Sequence, residues 1–288
     1  MWLFPVLLSA VSLAMQNVYY KKNAIHVNAF IIVWATLVIS SILYSPMLLW
    51  GIPHLNHLFW IATFARLVLD SVAFTLYIKG IEKSPLSLTV PMMAFIPLFL
   101  IFASFLINHL LPTPIGMIGI IVTLTGVYVL NFDHEHKELL SPFKAIYREQ
   151  GVIYVLIAAF LFSIVESLQK LAIDNSNPYF YMAFFQLFWA ICFIPVVYFY
   201  NKQEFMAAFN WQTIKRLLPV GGLDAVQVFG QSIALTLTLP VYVRSGQNTS
   251  ILFTAILGWY FFKEKLDQHL WPILMIVIGI ICISLAEQ

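Results

Sequence analysis

The stretch 273-ILMIVIGIICISL-285 decides the fold class. It carries no charge and no alternation of apolar with polar positions. A membrane-spanning β-strand alternates over about ten residues, so an unbroken apolar run of this kind reads as a helix in lipid. The run 96-IPLFLIFASFLI-107 reads the same way. The chain as a whole agrees: its 288 residues are 61% hydrophobic, 16% aromatic and 10% charged, with a mean hydropathy of +0.88. A soluble domain carries about 25% charged residues and needs polar groups on its outside. A soluble enzyme and a disordered chain are both excluded.

Polar clusters divide the sequence into ten spans, at roughly 2–20, 29–50, 57–78, 84–107, 114–131, 151–171, 178–200, 213–237, 240–262 and 270–286. Each approaches the roughly 20 residues a helix needs to cross a bilayer. The first lacks a preceding basic region and reads as a permanent span, not a secretory signal. Trp2, Trp50, Trp60, Trp211 and Trp271 stand near proposed ends, where an indole meets both water and lipid. The longest polar segment, 132-FDHEHKELLSPFKAIYREQ-150, separates residues 1–131 from residues 151–288, five spans each. Its Asp133, His134, Glu135 and His136 read as a solvated linker, because no further ligands recur at metal spacing. Cys192 and Cys282 lie inside apolar runs, which speaks against a disulfide or zinc framework. A net charge of +2 without a basic patch gives no reason to expect nucleic acid. No metal or cofactor is called for.

Lys and Arg set the orientation. Lys21, Lys22, Lys79, Lys83, Lys137, Lys144, Arg148, Lys202, Lys215, Arg216, Lys263 and Lys265 all fall on one side of the ten spans, and Lys170 on the other. The expectation is a multi-pass protein of the cell inner membrane, with 132–150 in the cytoplasm and both termini outside.

The halves read as repeats. Lys21 ends the first span and Lys170 the sixth, each four residues after a polar side chain, Asn17 and Glu166. The stretch 84-SPLSLTVPMMAFIPLFLIFASFL-106 lies on 237-LTLPVYVRSGQNTSILFTAILGW-259, and Gly126 then coincides with Gly279. An odd number of spans per repeat inserts the second repeat upside down. The fold class expected is therefore all-α, with ten transmembrane helices as two inverted five-helix repeats around a central cavity.

On 73-AFTLYIKGIEKSPLSLTVPMMAFIPLF-99 and 251-ILFTAILGWYFFKEKLDQHLWPILMIVIGIICISL-285 the chain resembles the EamA-type, ten-helix members of the drug/metabolite transporter superfamily. The second stretch carries a small-residue helix, Glu264 in a short turn and a glycine-containing last helix. The first repeat departs from this pattern: its turn, 108-NHLLPTP-114, has no Glu. Glu264 accordingly reads as structural. The resemblance implies secondary transport of small organic solutes, often export, with substrates such as amino acids, nucleotide-linked metabolites, sugar phosphates and drugs.

Ionisable groups at bilayer depth cost at least about 2.5–3.5 kcal/mol and generally face protein or water. Arg66 and Asp70, at i and i+4, share a helix face; they read equally as a charged gate or substrate clamp and as a neutralising pair. Glu166, Gln169 and Lys170 cluster on span 6 as Gln16, Asn17 and Tyr20 do on span 1. Both sets read either as cavity lining or as helix–helix hydrogen bonding. Asp224, Gln227 and Gln231 form a stripe on span 8, after 219-PVGG-222, which is expected to loosen that helix. Span 9 offers Arg244, Gln247 and Asn248. Arg244 suits a carboxylate or phosphate of the solute, or else an internal bridge to Asp224. With Arg244 assigned to Asp224, Glu166 is the expected proton carrier. Pro91 and Pro97 are expected to kink span 4, as a hinge or a fixed bend. Tyr20, Tyr77, Trp34 and Trp189 are candidates for stacking on a planar solute.

The sequence reading is thus a secondary active transporter, exporting a small polar or amphipathic metabolite such as an amino acid by alternating access. Asn17, Tyr20, Arg66, Asp70, Tyr77, Gln169, Asp224, Gln227, Arg244, Gln247 and Asn248 would bind the solute, and Glu166 would carry the proton. No nucleotide-binding P-loop is present, so the drive is a gradient of protons or solute. The alternative is an exchanger or facilitator of anionic metabolites resembling nucleotides or sugar phosphates. An intramembrane lipid enzyme would need a nucleophile or metal set, and the seven histidines lie in loops or near span ends without partners. A channel would ordinarily repeat its pore residues in an oligomer, whereas two different repeats in one chain favour a monomeric carrier.

Overall fold

The computed structural model describes residues 1–23, 27–84, 86–130, 149–200, 202, 210–262 and 270–286. Asp133 to His136, Glu264 and nearly all of the 132–150 linker lie outside the described residues.

Among the described residues every regular element is a helix. They are α1 (Leu3–Asn23), α2 (Ala29–Tyr44), a 3-10 segment (Ser45–Trp50), α3 (His57–Lys83), α4 (Leu86–Met93), α5 (Ile96–Asn108), α6 (Pro114–Leu130), α7 (Gln150–Asp174), α8 (Pro178–Tyr200), α9 (Trp211–Leu237), α10 (Pro240–Gln247), α11 (Thr249–Phe262) and α12 (Leu270–Ala286). Helices are what lipid demands, because each one satisfies its backbone polar groups within the segment. Six of them, with α2 taken together with its 3-10 continuation, are long and apolar enough to cross a membrane alone. The ten spans are recovered when α4 is joined to α5 and α10 to α11.

Those two interruptions refine the sequence reading. Span 4 is broken at Ala94–Phe95, not merely kinked. Pro97 opens α5, where its missing N–H is unneeded; further back along a continuous helix its ring would clash with the Met93 carbonyl. Span 9, read as continuous, is broken at Asn248 with no proline in the break. There the Asn248 N–H reaches back to the carbonyls of Arg244 (3.3 Å) and Ser245 (3.2 Å), and the Thr249 hydroxyl donates to the Gly246 carbonyl at 2.7 Å. Glycine and side chains that hydrogen-bond locally weaken a helix at such a point. Laying Ser84 on Leu237 puts Phe95 on Asn248, so the two repeats break at equivalent positions by different chemistry.

Two other expectations change. Span 2 ends as an α-helix at Tyr44 and continues as 3-10 from Ser45, because Pro46 has no N–H to give the Ile42 carbonyl, which accepts instead from the N–H and hydroxyl of Ser45. The PVGG segment does not unwind span 8: α9 runs through Pro219 without interruption. The glycine there serves close approach, since a Cβ on Gly221 would lie 2.6 Å from Ile39 Cγ2.

The chain folds as two compact units, and each draws helices from both sequence halves. The first comprises Met1–His57, Ile173–Leu237 and Ser250–Lys265. In it α1 and α2 pack on α9, and α2 also packs on α8. The helices α1 and α9 run antiparallel. Gly230 abuts Pro5 and Ser9 at one end, Gln16 meets Asp224 midway, and Asn23 reaches the Arg216 carbonyl at the other end.

The second unit comprises Leu58–Ala172, Thr238–Thr249 and Leu266–Gln288. Its tightest seam joins α6 to α12. A Cβ on Gly119 would lie 2.6 Å from the Gly279 carbonyl oxygen, and one on Gly126 would lie 2.9 Å from the Pro272 carbonyl oxygen. The glycines that coincide in the repeat alignment are therefore the ones that admit a neighbouring backbone. Likewise α3 meets α7 where Gly80 faces the Gly151 carbonyl. Between these helices, Met92 of α4 packs on Val152 and Val155, with Tyr77 alongside. The short α10 is held by Tyr242, whose hydroxyl accepts from the Thr113 N–H at 3.1 Å.

Candidate functional site

In the second unit, four charges come together. Arg66 Nε donates to Asp70 Oδ2 at 3.1 Å, the i to i+4 pair expected from spacing. Arg244 Nη1 lies 3.1 Å from Glu166 Oε1. Arg66 and Asp70 are near enough to Glu166 to act on its charge. Two guanidiniums therefore face two carboxylates, and the cluster sums to zero. Arg244 occupies the last turn of α10, where the carbonyl end of a helix favours a cation.

The bridge joins span 6 to span 9 within one unit and corrects the sequence expectation that Arg244 pairs with Asp224. It also removes the premise for choosing Glu166 as proton carrier, which was that its only cationic neighbour is Lys170, one turn on, where the ammonium can turn to water.

Arg244 is not fully used. Its Nε is buried without a hydrogen-bond partner, while its side chain keeps 24% exposure. One turn on, Asn248 Nδ2 is also unpartnered. On α7, one turn after Glu166, Gln169 is buried. Gln247, next to the break, is buried too. Asn108, at the end of α5, donates to the Ser167 carbonyl at 3.2 Å, while its own Oδ1 and the Ser167 hydroxyl are left unpaired. A buried polar atom without a partner is costly and marks a place where a ligand group could bind. Tyr77 lies in the apolar contact with Met92 and Val155.

In the first unit, Asp224 is enclosed by neutral donors. Ser40 Oγ lies 2.7 Å from Oδ2, Gln186 Nε2 lies 3.0 Å from the same oxygen, and Gln16 Nε2 lies 3.2 Å from Oδ1. Ser40 Oγ is also 3.1 Å from the Gly221 carbonyl oxygen. Tyr20 and Tyr44 are close enough to feel the carboxyl charge. The Tyr44 hydroxyl donates to the Ala225 carbonyl.

Asn17 is exposed, and its neighbour Gln16 is the residue that turns to Asp224. One position is 100° around a helix, which suffices to exchange their roles. Gln227 donates to Gln231 at 3.1 Å, so the expected stripe is a pair beside Asp224. Trp34 spends its indole N–H on the Ala190 carbonyl at 3.1 Å. The Trp189 indole N–H is buried and unpartnered.

Ser40, Gln186 and Tyr44 were not among the sequence candidates. Gln186 had a readable signal, as the lone amide in 178-PYFYMAFFQLFWAICFIPVVYFY-200. Ser40 and Tyr44 had none, because serine and tyrosine are ordinary in apolar helices.

These observations define a multi-pass membrane protein, helical throughout the described residues, with an ion-paired cluster on its apolar helices. A model of the EamA-like transporter family matches residues 1–132 and 149–285, so the chain belongs to that family. It is accordingly a transporter of the drug/metabolite type, with a small-molecule substrate and the lipid bilayer as its surroundings. No curated relative matches the sequence. A solved structure titled only as the crystal structure of a protein is similar in fold, with a TM-score of 0.74 and 13% identity, over 99% of this chain and 96% of that one.

Proposed function

We propose that this chain is a secondary transporter of the inner membrane. It exports a small zwitterionic metabolite, of the amino acid class or a related organic solute, by alternating access. The observation that carries this reading is the neutral four-charge cluster with a guanidinium only partly engaged. A solute bearing both a carboxylate and an ammonium can exchange partners with the Arg244–Glu166 bridge: its carboxylate takes the fork of Arg244, and its ammonium takes Glu166. Charge is conserved in the exchange, so little electrostatic free energy is lost. A doubly anionic phosphate ester would instead face Glu166 and Asp70 as like charges, which disfavours the anionic alternative.

Arg66, Asp70, Gln169, Gln247 and Asn248 are proposed as further solute contacts around that bridge. Tyr77, in the same unit, is proposed as a secondary one. Direction rests on the family resemblance alone.

A thermal-shift screen of metabolites on the purified protein tests the class. A ligand that binds only the folded state raises the midpoint. Zwitterionic solutes are expected to raise it and sugar phosphates to leave it unchanged. The reverse result contradicts the proposal.

The sidedness proposed from Lys and Arg has its own test. A single cysteine introduced by Glu138→Cys should resist an impermeant thiol reagent in intact cells and react after permeabilisation. Labelling from outside would invert the topology.

A further inference from the structure

We infer that Asp224 is a proton-binding site, built to hold its carboxyl in either charge state. The hydrogen atoms around the carboxyl suffice for both states. Ser40 has one hydroxyl hydrogen and faces two acceptors, Asp224 Oδ2 at 2.7 Å and the Gly221 carbonyl at 3.1 Å. With Asp224 ionised, Ser40 donates to the carboxylate, and Gln186 and Gln16 add two N–H donors. With a proton on Oδ2, the new O–H donates to Ser40 Oγ, and Ser40 turns its hydrogen to Gly221. Both glutamine amides keep their bonds. A hydroxyl both donates and accepts, so it can serve either state by rotation alone. No heavy atom has to move, and neither state leaves a polar atom of the carboxyl unpaired.

The charge inventory around Asp224 points the same way. The helices α2 and α8 contain no Asp, Glu, Lys, Arg or His. On α1 the charged residues are Lys21 and Lys22, at its last turn, roughly 7 Å or more along the axis from Gln16. On α9 they are Lys215 and Arg216, about 12 Å along the axis from Asp224. The titratable groups that do face the carboxyl are the phenols of Tyr20 and Tyr44. Among the residues whose side chains are described, no cation pairs with Asp224. Glu166 and Asp70 each sit on a guanidinium, and protonating either would strand that charge. Arginine cannot relieve the imbalance by losing its own proton.

Coupling of this proton to solute movement rests on the transport reading; the binding of the proton does not. The binding is tested by infrared difference spectra of the purified protein between acid and alkaline pH. A protonated-carboxyl C=O band that titrates is expected, lost in Asp224→Asn and retained in Glu166→Gln. Ser40→Ala keeps the carboxyl but removes the rotating hydroxyl, so the band should persist at a changed frequency. A band unchanged in a folded, monodisperse Asp224→Asn, or unmoved by Ser40→Ala, overturns the inference.

Coupling is tested in proteoliposomes, where Asp224→Asn should abolish accumulation driven by a pH gradient. Accumulation that survives overturns the coupling role. A chain that titrates at Asp224 but moves no solute refutes the transport reading and leaves the proton site standing.

Discussion

Glu166→Gln should be strongly destabilising, and more damaging to the fold than Arg244→Gln. Removing the carboxylate leaves the Arg244 guanidinium with its nearest counter-charge gone. Breaking a buried pair by deleting one partner costs about 3–5 kcal/mol. Arginine stays charged under all ordinary conditions, so the protein has no chemical escape. In Arg244→Gln the stranded group is a carboxyl, which can take up a proton and become neutral. The double variant Glu166→Gln/Arg244→Gln removes both charges and should be more stable than Glu166→Gln alone. All three should lose solute transport by tenfold or more, because a hydrogen bond to a charged group is worth about 1.5–3 kcal/mol. Thermal midpoints in detergent, set beside uptake rates, check both statements. A double variant less stable than Glu166→Gln would mean that the two residues do not act as a pair. Arg244→Lys separates charge from shape: it keeps the cation, loses the planar fork, and should still transport poorly.

The second large effect is expected at the seam of α6 and α12. Gly279→Ala places a Cβ 2.7 Å from both the Gly119 carbonyl oxygen and the Thr123 amide nitrogen. Both obstacles are backbone, so neither can turn aside, and the two helices must separate. Overpacking of this kind costs about 1–3 kcal/mol. Gly222→Ala is the matched control, since a Cβ there meets nothing within 4 Å. Within a helix, Ala is favoured over Gly by about 1 kcal/mol, so that change should be neutral or stabilising. The same substitution thus has opposite signs at two helical glycines, readable as midpoints of thermal unfolding. Equal shifts at both positions would contradict the close approach of α6 and α12.

The architecture was legible because lipid reduces the choice of element to one. Unbroken runs such as 273–285 leave only a helix, and polar clusters mark its ends. The Arg66–Asp70 pair was legible because i and i+4 are neighbours on any helix. The partner of Arg244 was not legible, since which spans adjoin is a matter of packing. The coincidence of Gly126 with Gly279 was visible in the sequence, while their shared use as an entry for neighbouring backbone was not. The two helix breaks show the same limit. Pro97 announced the first. The second falls at Asn248, beside Gly246, whose carbonyl takes the Thr249 hydroxyl, a pattern common in unbroken helices too. The enclosure of Asp224 was the least legible of all, because Ser40 and Gln186 lie on helices that otherwise read as apolar.

The most direct test of the transport claim is counterflow. Purified protein is placed in liposomes loaded with an unlabelled amino acid, and labelled solute is added outside at equal pH. Labelled uptake should overshoot and decay, saturate with solute concentration, and fall at least tenfold in Arg244→Lys. Uptake that rises linearly with concentration and shows no overshoot with any zwitterionic solute, in protein that is folded and correctly inserted, would contradict the transport claim.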